Sequence, residues 1–309
     1  MGQPSELAFF AGLAKAGSLS AAAREQDVTP AAISKRLAQM EKRLGVRLLN
    51  RTTRRIGLTA EGEVYLEHAR RLLAEIEDLD QLISSSHVAP RGTLRVNAPL
   101  GFGRTYIAPA ISDFAKRYPQ MEVQLHLTDR PMNLGEEGFD IGIRFGEIPD
   151  TRLMARKIAD NRRLVCAAPS YLKAHGTPIT PHDLTQHQCI VLRQNDSAYG
   201  IWRFAKGKKT ETVKVRGALS SNDGEVTLTW GLAGQGILQR AEWDLAKYLR
   251  SGRLVLLLED YALPPADIFA VFPERLNMSA KVRAFLDFLV AHFEGKQLRA
   301  RGGGSTSSW

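Results

Sequence analysis

The sequence predicts an α/β protein with an all-α N-terminal part: a helix–turn–helix with a basic hairpin, a long linker helix, and then two α/β halves. Three observations predict it. Residues 18–62 combine short capped helices, a tight turn and an arginine-rich hairpin. Residues 65–83 repeat apolar side chains at heptad spacing. From residue 93 onward, strand-length apolar runs alternate with helical periods, the pattern of βαβ units in a doubly wound parallel sheet.

The first helix is expected over 5–16, with Leu7, Phe10, Ala11 and Ala14 on one face and Gly17 as its stop. A short second helix covers 21–26 after the Ser18/Ser20 capping region, and Asp27-Val28-Thr29 is the turn. The third helix has Thr29 as N-cap and Pro30 at its first position, where a missing N–H costs nothing. Ile33, Leu37, Met40 and Leu44 form its buried stripe, which leaves Ala31, Ser34 and Lys35 pointing elsewhere. Gly45 closes it, and 46–49 with 55–58 make a hairpin around Asn50-Arg51-Thr52-Thr53-Arg54. A fourth helix opens at Thr59 with Glu61 and Glu63 in its first turn. Tyr65, Ala69, Leu72, Ile76, Leu79 and Ile83 then form a three-heptad seam, narrower and longer than one globular face requires, which suggests a partner helix.

Residues 84–92 read as a linker broken by Pro90 and Gly92. Strands are expected at 93–97, 122–128 and 139–145 with a helix near 106–118, and a second series begins at 163–168. It continues through strands at 189–193 and 213–218, a helix at 224–231, and strands at 236–239 and 254–257; a strand at 268–271 and a helix at 279–293 close the fold. The domain expectation is therefore 1–62 for DNA binding, 59–86 for the dimerisation helix, 87–92 for a hinge, 93–163 plus 268–295 for one half, 164–267 for the other, and a disordered Gly/Ser-rich tail at 296–309.

A chain of 309 residues is long enough for two or three cores. Its mean hydropathy of -0.21 fits a soluble protein. No run approaches the roughly 18 apolar residues that span a bilayer, and no signal peptide is read at the N-terminus, so no membrane partner and a cytoplasmic location are expected. Cys166 and Cys189 lie in no metal-binding or redox spacing. The seven histidines form no ligand motif, and no nucleophile elbow or phosphate loop occurs, so no catalytic residue, metal or cofactor is expected. Net charge is +9. Residues 1–62 hold ten basic against five acidic side chains, six of the cations lying between Lys42 and Arg55 with no acid among them. Such clustering favours a polyanion.

A helix in the major groove offers its N-terminal side chains to base edges while other contacts grip phosphates. Thr29, Pro30, Ala31, Ser34 and Lys35 are the candidate base readers. Arg51, Thr52, Thr53, Arg54 and Arg55 suit phosphates or a narrow minor groove. In open α/β sheets a small molecule binds beyond the carboxyl ends of strands. That places Ala98, Pro99, Leu100, Gly101 and Phe102, Asn222 and Asp223, and the strand-end residues Thr128, Arg144 and Arg193 as candidate effector contacts. Asn222 and Asp223 read equally as helix caps, and Arg144 as a surface partner of Asp140 or Glu147. A small organic or aromatic acid is the favoured effector class.

The segments 17–23, 33–37, 44–54 and 58–62, with 139–146, 168–172, 221–224 and 234–237, resemble the LysR-type transcriptional regulators over residues 7 to about 293. Pro30 departs from the glutamine that many relatives carry, and Leu238-Gln239-Arg240 from their leucine and proline. The resemblance implies a winged helix–turn–helix, a linker dimerisation helix, and two Rossmann-like effector subdomains resembling a periplasmic binding protein. It implies a double-stranded DNA operator, a dimer of dimers, and RNA polymerase as a further partner. A solute-binding protein would share the effector fold but lack residues 1–86, and a non-specific nucleoid protein would not discriminate among sequences.

Overall fold

The computed structural model describes residues 3–50, 57–83, 90–130, 132–148, 150–193, 200–274, 278–302 and 309, and the chain divides into two compact units, Met1–Val88 and Ala89–Trp309. In the first, α1 (Gln3–Ala16), α2 (Leu19–Glu25) and α3 (Pro30–Leu44) lead into a two-stranded antiparallel wing, β1 (Leu49–Asn50) and β2 (Gly57–Leu58), and then α4 (Ala60–Ile83). Caps set the helix starts: Ser18 Oγ accepts from the Ala21 N–H at 3.1 Å and Thr29 Oγ1 from the Ala32 N–H at 3.2 Å. Gly45, at φ 73°, ends α3 in the left-handed conformation. Phe9, Phe10, Leu13, Ile33, Met40 and Leu48 fill the core.

The seam of α4 divides. Tyr65 meets Phe10 edge to face at 5.4 Å and Ala69 is fully buried. Leu72, Ile76 and Leu79 remain 41%, 38% and 55% exposed. One interface over all six positions is therefore corrected at Tyr65 and Ala69, because α1 already lies against the first turns of α4. The side chain of Ile83 lies outside the described residues.

A Cβ added to Gly62 in α4 would stand 2.0 Å from the Leu48 carbonyl oxygen, so helix and wing backbone touch with no side chain between them. Gly62→Ala should destabilise this unit by about 1–3 kcal/mol through overpacking. Denaturant titration followed by far-UV circular dichroism measures it; an unchanged midpoint would mean that the wing yields freely.

In the second unit, β3 (Gly92–Pro99), α5 (Leu100–Phe102), a π-helical turn at Gly103–Ile107, α6 (Ala108–Arg117), β4 (Met121–Thr128), β5 (Ile141–Phe145) and β6 (Leu153–Ala159) build a first lobe. A second lobe follows: β7 (Arg163–Ala167), α7 (Pro169–His175), a 3-10 turn at Pro181–Gln186, β8 (Cys189–Leu192), β9 (Ile201–Lys206), β10 (Lys209–Lys214), β11 (Ser220–Ser221), α8 (Gly224–Leu232), β12 (Ile237–Ala241), α9 (Glu242–Arg250) and β13 (Val255–Leu257). The chain then returns to the first lobe with β14 (Ile268–Pro273) and α10 (Ala280–Gly302). The sheet orders are β4-β3-β5-β14-β6 and β11-β8-β12-β7-β13. Leu94, Val96, Phe114, Ile141, Phe285 and Leu289 fill the first core, and Val165, Tyr171, Leu184, Val191, Trp202 and Ile237 the second.

Both sheets are mixed, with antiparallel pairs beside the parallel ones that the βαβ alternation predicts. β3 runs parallel to β4 and β5, whereas β14 is antiparallel to β5 and β6, and β7 is antiparallel to β12 and β13. The reversals fall where the chain passes between lobes: β6 leads out, β7 enters, and β14 leads back. The strand expected at 213–218 is also corrected. Val213 belongs to β10, which pairs with β9 in a separate hairpin, and the sheet edge is taken by β11 alongside β8. At the tail, α10 continues to Gly302, and Trp309 packs onto the first lobe, so disorder over 296–309 is corrected at both places; residues 303–308 lie outside the described residues.

One half-buried polar site predicts a dependence of stability on acid. The Tyr171 hydroxyl accepts from the Gln188 N–H at 2.9 Å and lies within hydrogen-bond distance of His187 Nδ1, at 3.2 Å. Burial, followed by the charge of His175, pushes the His187 pKa below its ordinary value of 6.5, although Asp183 opposes this. The unfolded chain then takes up the proton first, so the stability contributed by neutral His187 is complete above pH 6.5 and is lost as pH falls below it. The melting temperature should drop between pH 7 and pH 5, and His187→Asn should flatten that dependence; an equal slope in both proteins would contradict it.

Candidate nucleic-acid interface and ligand cleft

Helix α3 presents two chemically distinct faces. Ile33 and Met40 are buried, while Thr29, Pro30, Ala31, Ser34 and Lys35 are all exposed at its N-terminal end. Three contacts hold that face in place. Arg36 donates to the Ser5 carbonyl at 2.9 Å and lies over the Phe9 ring at 4.4 Å, and Arg43 pairs with Glu6 at 2.5 Å, so these two cations tie α3 to α1. Glu41 Oε1 accepts from the Leu48 and Leu49 N–H groups at 2.8 and 3.2 Å, which fixes the start of the wing. Asn50 Nδ2 donates to the Leu58 carbonyl at 2.9 Å across the wing strands. The tip residues Arg51, Thr52, Thr53, Arg54 and Arg55 lie outside the described residues. Sequence reasoning missed Glu41, whose role depends on a contact seven residues away that helical periodicity does not encode.

The second unit holds a cavity of about 500 Å³ between its two sheets. Its floor is the crossover at Asn161 and Arg163, and its walls carry the β3–α5 turn, Phe145-Gly146-Glu147, Trp202 and Arg203, Gln239, Arg240 and Trp243. Of the ten candidate effector contacts, Pro99, Leu100, Gly101, Phe102 and Asn222 line it. Ala98 is buried inside the first core. Asp223 Oδ1 accepts from the Glu225 and Val226 N–H groups at 2.7 and 3.2 Å and caps α8. Thr128 Oγ1 accepts from the Arg130 N–H, and Arg193 is exposed with its backbone N–H donating to Ser221.

Arg144 is a correction with a clear cause. Its guanidinium donates to Asn97 Oδ1 at 2.8 Å, to the Ile143 carbonyl at 2.9 Å and to the Met132 carbonyl at 3.2 Å, so it is spent inside the first lobe and does not line the cavity. Burial pulls its pKa down to about 10, which leaves it charged at neutral pH. Asn222 reaches the other lobe instead, its Nδ2 donating to Asp129 Oδ2 at 2.5 Å; Arg104 and Glu225 form a second link at 2.6 Å.

In the cleft, sequence reasoning missed Arg163, the first residue of β7. Its neighbours are committed: Arg162 holds Glu242 through two bonds of 2.9 and 2.8 Å, and Arg240 holds Asp244. Arg163 is half-buried on the cavity floor, has no carboxylate partner among the described residues, and is pushed below the usual arginine pKa by desolvation. A desolvated cation without its own counter-ion is a seat for an anion. In the sequence it is one of two adjacent arginines at a strand start, and nothing in the spacing separates the paired one from the open one.

The thiols are inert by the same physics. Cys166 and Cys189 are buried, and burial raises both, Cys189 to about 12. Among the described residues no group of three or more His, Cys, Asp or Glu side chains could hold a metal ion, and no helix is long and apolar enough to cross a membrane.

A winged helix–turn–helix on the same chain as a cleft-bearing α/β unit defines a DNA-binding transcriptional regulator with a substrate-binding domain. The chain belongs to the LysR family: the family model for the bacterial regulatory helix–turn–helix protein of lysR type matches residues 4–63, and that for the LysR substrate binding domain matches residues 87–294. It is 40% identical over 288 residues to the HTH-type transcriptional regulator DmlR of Escherichia coli strain K12, covering 93% of this chain and 94% of that protein. It is also 40% identical over 276 residues to the HTH-type transcriptional activator TtdR of the same strain, covering 89% and 88%. Among solved structures it is similar to CrgA of Neisseria meningitidis (31% identity, TM-score 0.59, covering 94% of this chain and 99% of that one). The full-length Vibrio cholerae virulence activator AphB matches at 26% identity and TM-score 0.59, covering 93% and 98%.

Proposed function

We propose that this regulator binds a small organic or aromatic acid between the two lobes of its second unit, and that the acid sets how it engages an operator. The observation that carries this reading is Arg163, a desolvated cation on the floor of a cavity large enough for such a molecule and without a carboxylate of its own among the described residues. Ligand changes the output only through unequal affinity for two arrangements of the protein. Calorimetric titration of the full chain with a panel of mono- and dicarboxylic acids, aliphatic and aromatic, tests it. Saturable heat with one member supports the reading, and silence across the panel sinks it.

On the DNA side the proposal assigns base reading to Thr29, Pro30, Ala31, Ser34 and Lys35, and backbone contact to Arg51, Thr52, Thr53, Arg54 and Arg55. A single half-site gives little affinity, so the reading includes a homo-oligomer, a dimer of dimers acting in the cytoplasm on double-stranded DNA, with RNA polymerase as a further partner. Ser34→Ala and Lys35→Ala should each reduce discrimination between operator and random DNA by about 1–3 kcal/mol. Equal losses on both DNAs in competition binding would reassign these side chains to the phosphates.

A further inference from the structure

Trp309 meets both lobes. Its ring lies 5.0 Å from Tyr106, 6.0 Å from Phe102 and 6.1 Å from Phe293, all in the first lobe. Its indole Nε1 donates to the Asp160 carbonyl at 3.0 Å, on the strand connection where the chain leaves that lobe. Its carbonyl oxygen accepts from the Arg250 guanidinium at 2.6 Å, at the end of α9 in the second lobe. The rings that it covers already cross the boundary: Trp243 of α9 lies 5.4 Å from Phe102 and 5.8 Å from Tyr106, whose hydroxyl is 3.4 Å from the Trp243 carbonyl. Phe102 and Trp243 are also walls of the cavity.

We propose that Trp309 is a positioning residue that braces the connection between the two lobes and seats the Phe102–Trp243 wall of the cleft. Its contacts combine one hydrogen bond at the connection, one to the second lobe and edge-to-face ring contacts on the first, so a change in the angle between lobes must break at least one of them. The rings give an apolar anchor, and the directional indole N–H bond to the Asp160 carbonyl fixes the orientation of the half-buried ring. The brace acts on the lobes themselves and stands whatever the chemical class of the effector.

The test measures the distance between lobes in the full chain without ligand. Spin labels are placed through Lys116→Cys on α6 and Lys173→Cys on α7, both exposed, while Cys166 and Cys189 are buried and unreactive. Pulsed electron resonance should show one narrow distance population in the parent. Trp309→Ala should broaden it and shift its mean, with an unchanged circular dichroism spectrum; Trp309→Phe, which keeps a ring but loses the N–H, should fall between. Arg250→Met removes the second-lobe contact alone and should broaden the population without loss of fold. Distributions that superimpose on the parent in Trp309→Ala and Arg250→Met overturn the proposal. So does a lower melting temperature in Trp309→Ala with an unmoved distance, which would reduce Trp309 to surface packing.

Discussion

Arg163→Met is expected to weaken binding of the proposed acid effector by about 2–4 kcal/mol, roughly thirty- to a thousand-fold, because the ligand's carboxylate would then lie desolvated without its cation. The same substitution should raise the melting temperature of the ligand-free protein. In that state Arg163 is half-buried and held below its normal pKa by desolvation, and a methionine of similar length removes the penalty while keeping the packing. The opposite signs are diagnostic. A residue that merely packs would lose stability and affinity together, and Arg203→Met, at an exposed position on the same cavity wall, should change either quantity little. Calorimetry with the acid found in the panel, alongside scanning calorimetry of the empty protein, reads both. Loss of stability in Arg163→Met would show that its guanidinium has a structural partner.

The second large effect concerns α4. Leu72→Ser with Ile76→Ser should halve the assembly in sedimentation velocity, from the proposed dimer of dimers to dimers held elsewhere, and lower operator affinity by about 10²–10⁴, the gain lost when two linked half-site contacts become independent. Both side chains are more than a third exposed, whereas Tyr65 and Ala69 are occupied within the unit, so the double variant should keep its fold. An assembly of unchanged mass would place the interface on another surface.

These two residues and Arg163 show how unevenly the molecule was legible. Local signals are plain in the sequence: Thr29 and Pro30 start α3, Gly45 ends it, and Asp223 caps α8 as its residue type suggests. Contacts distant in sequence are not. Spacing alone made Tyr65 and Ala69 members of the same seam as Leu72, since a heptad pattern does not record that α1 covers the first turns. Arg144 was drawn to the cleft by its place at a strand end. In the fold its charge is absorbed by Asn97, 47 residues earlier, and by two carbonyls. The residues at 213–218 looked like a sheet strand because hairpin and sheet strands share one periodicity, and only pairing partners tell them apart. Trp309 sits after three glycines and a Ser/Thr run, a composition that argues against order, and its contacts come from four separate elements.

The bare contact between Gly62 and the Leu48 carbonyl has a consequence for how DNA is measured. The Thr59 hydroxyl, which donates to the Arg47 carbonyl at 2.7 Å and accepts from the Gly62 N–H at 3.0 Å, clamps the same joint, so close backbone contact and a short side chain together set the direction in which α4 leaves the wing. Two copies joined along α4 would then behave as a caliper with welded jaws. Such an instrument accepts half-sites at one helical phase and rejects those turned a few base pairs around the duplex, even when every base it touches is correct.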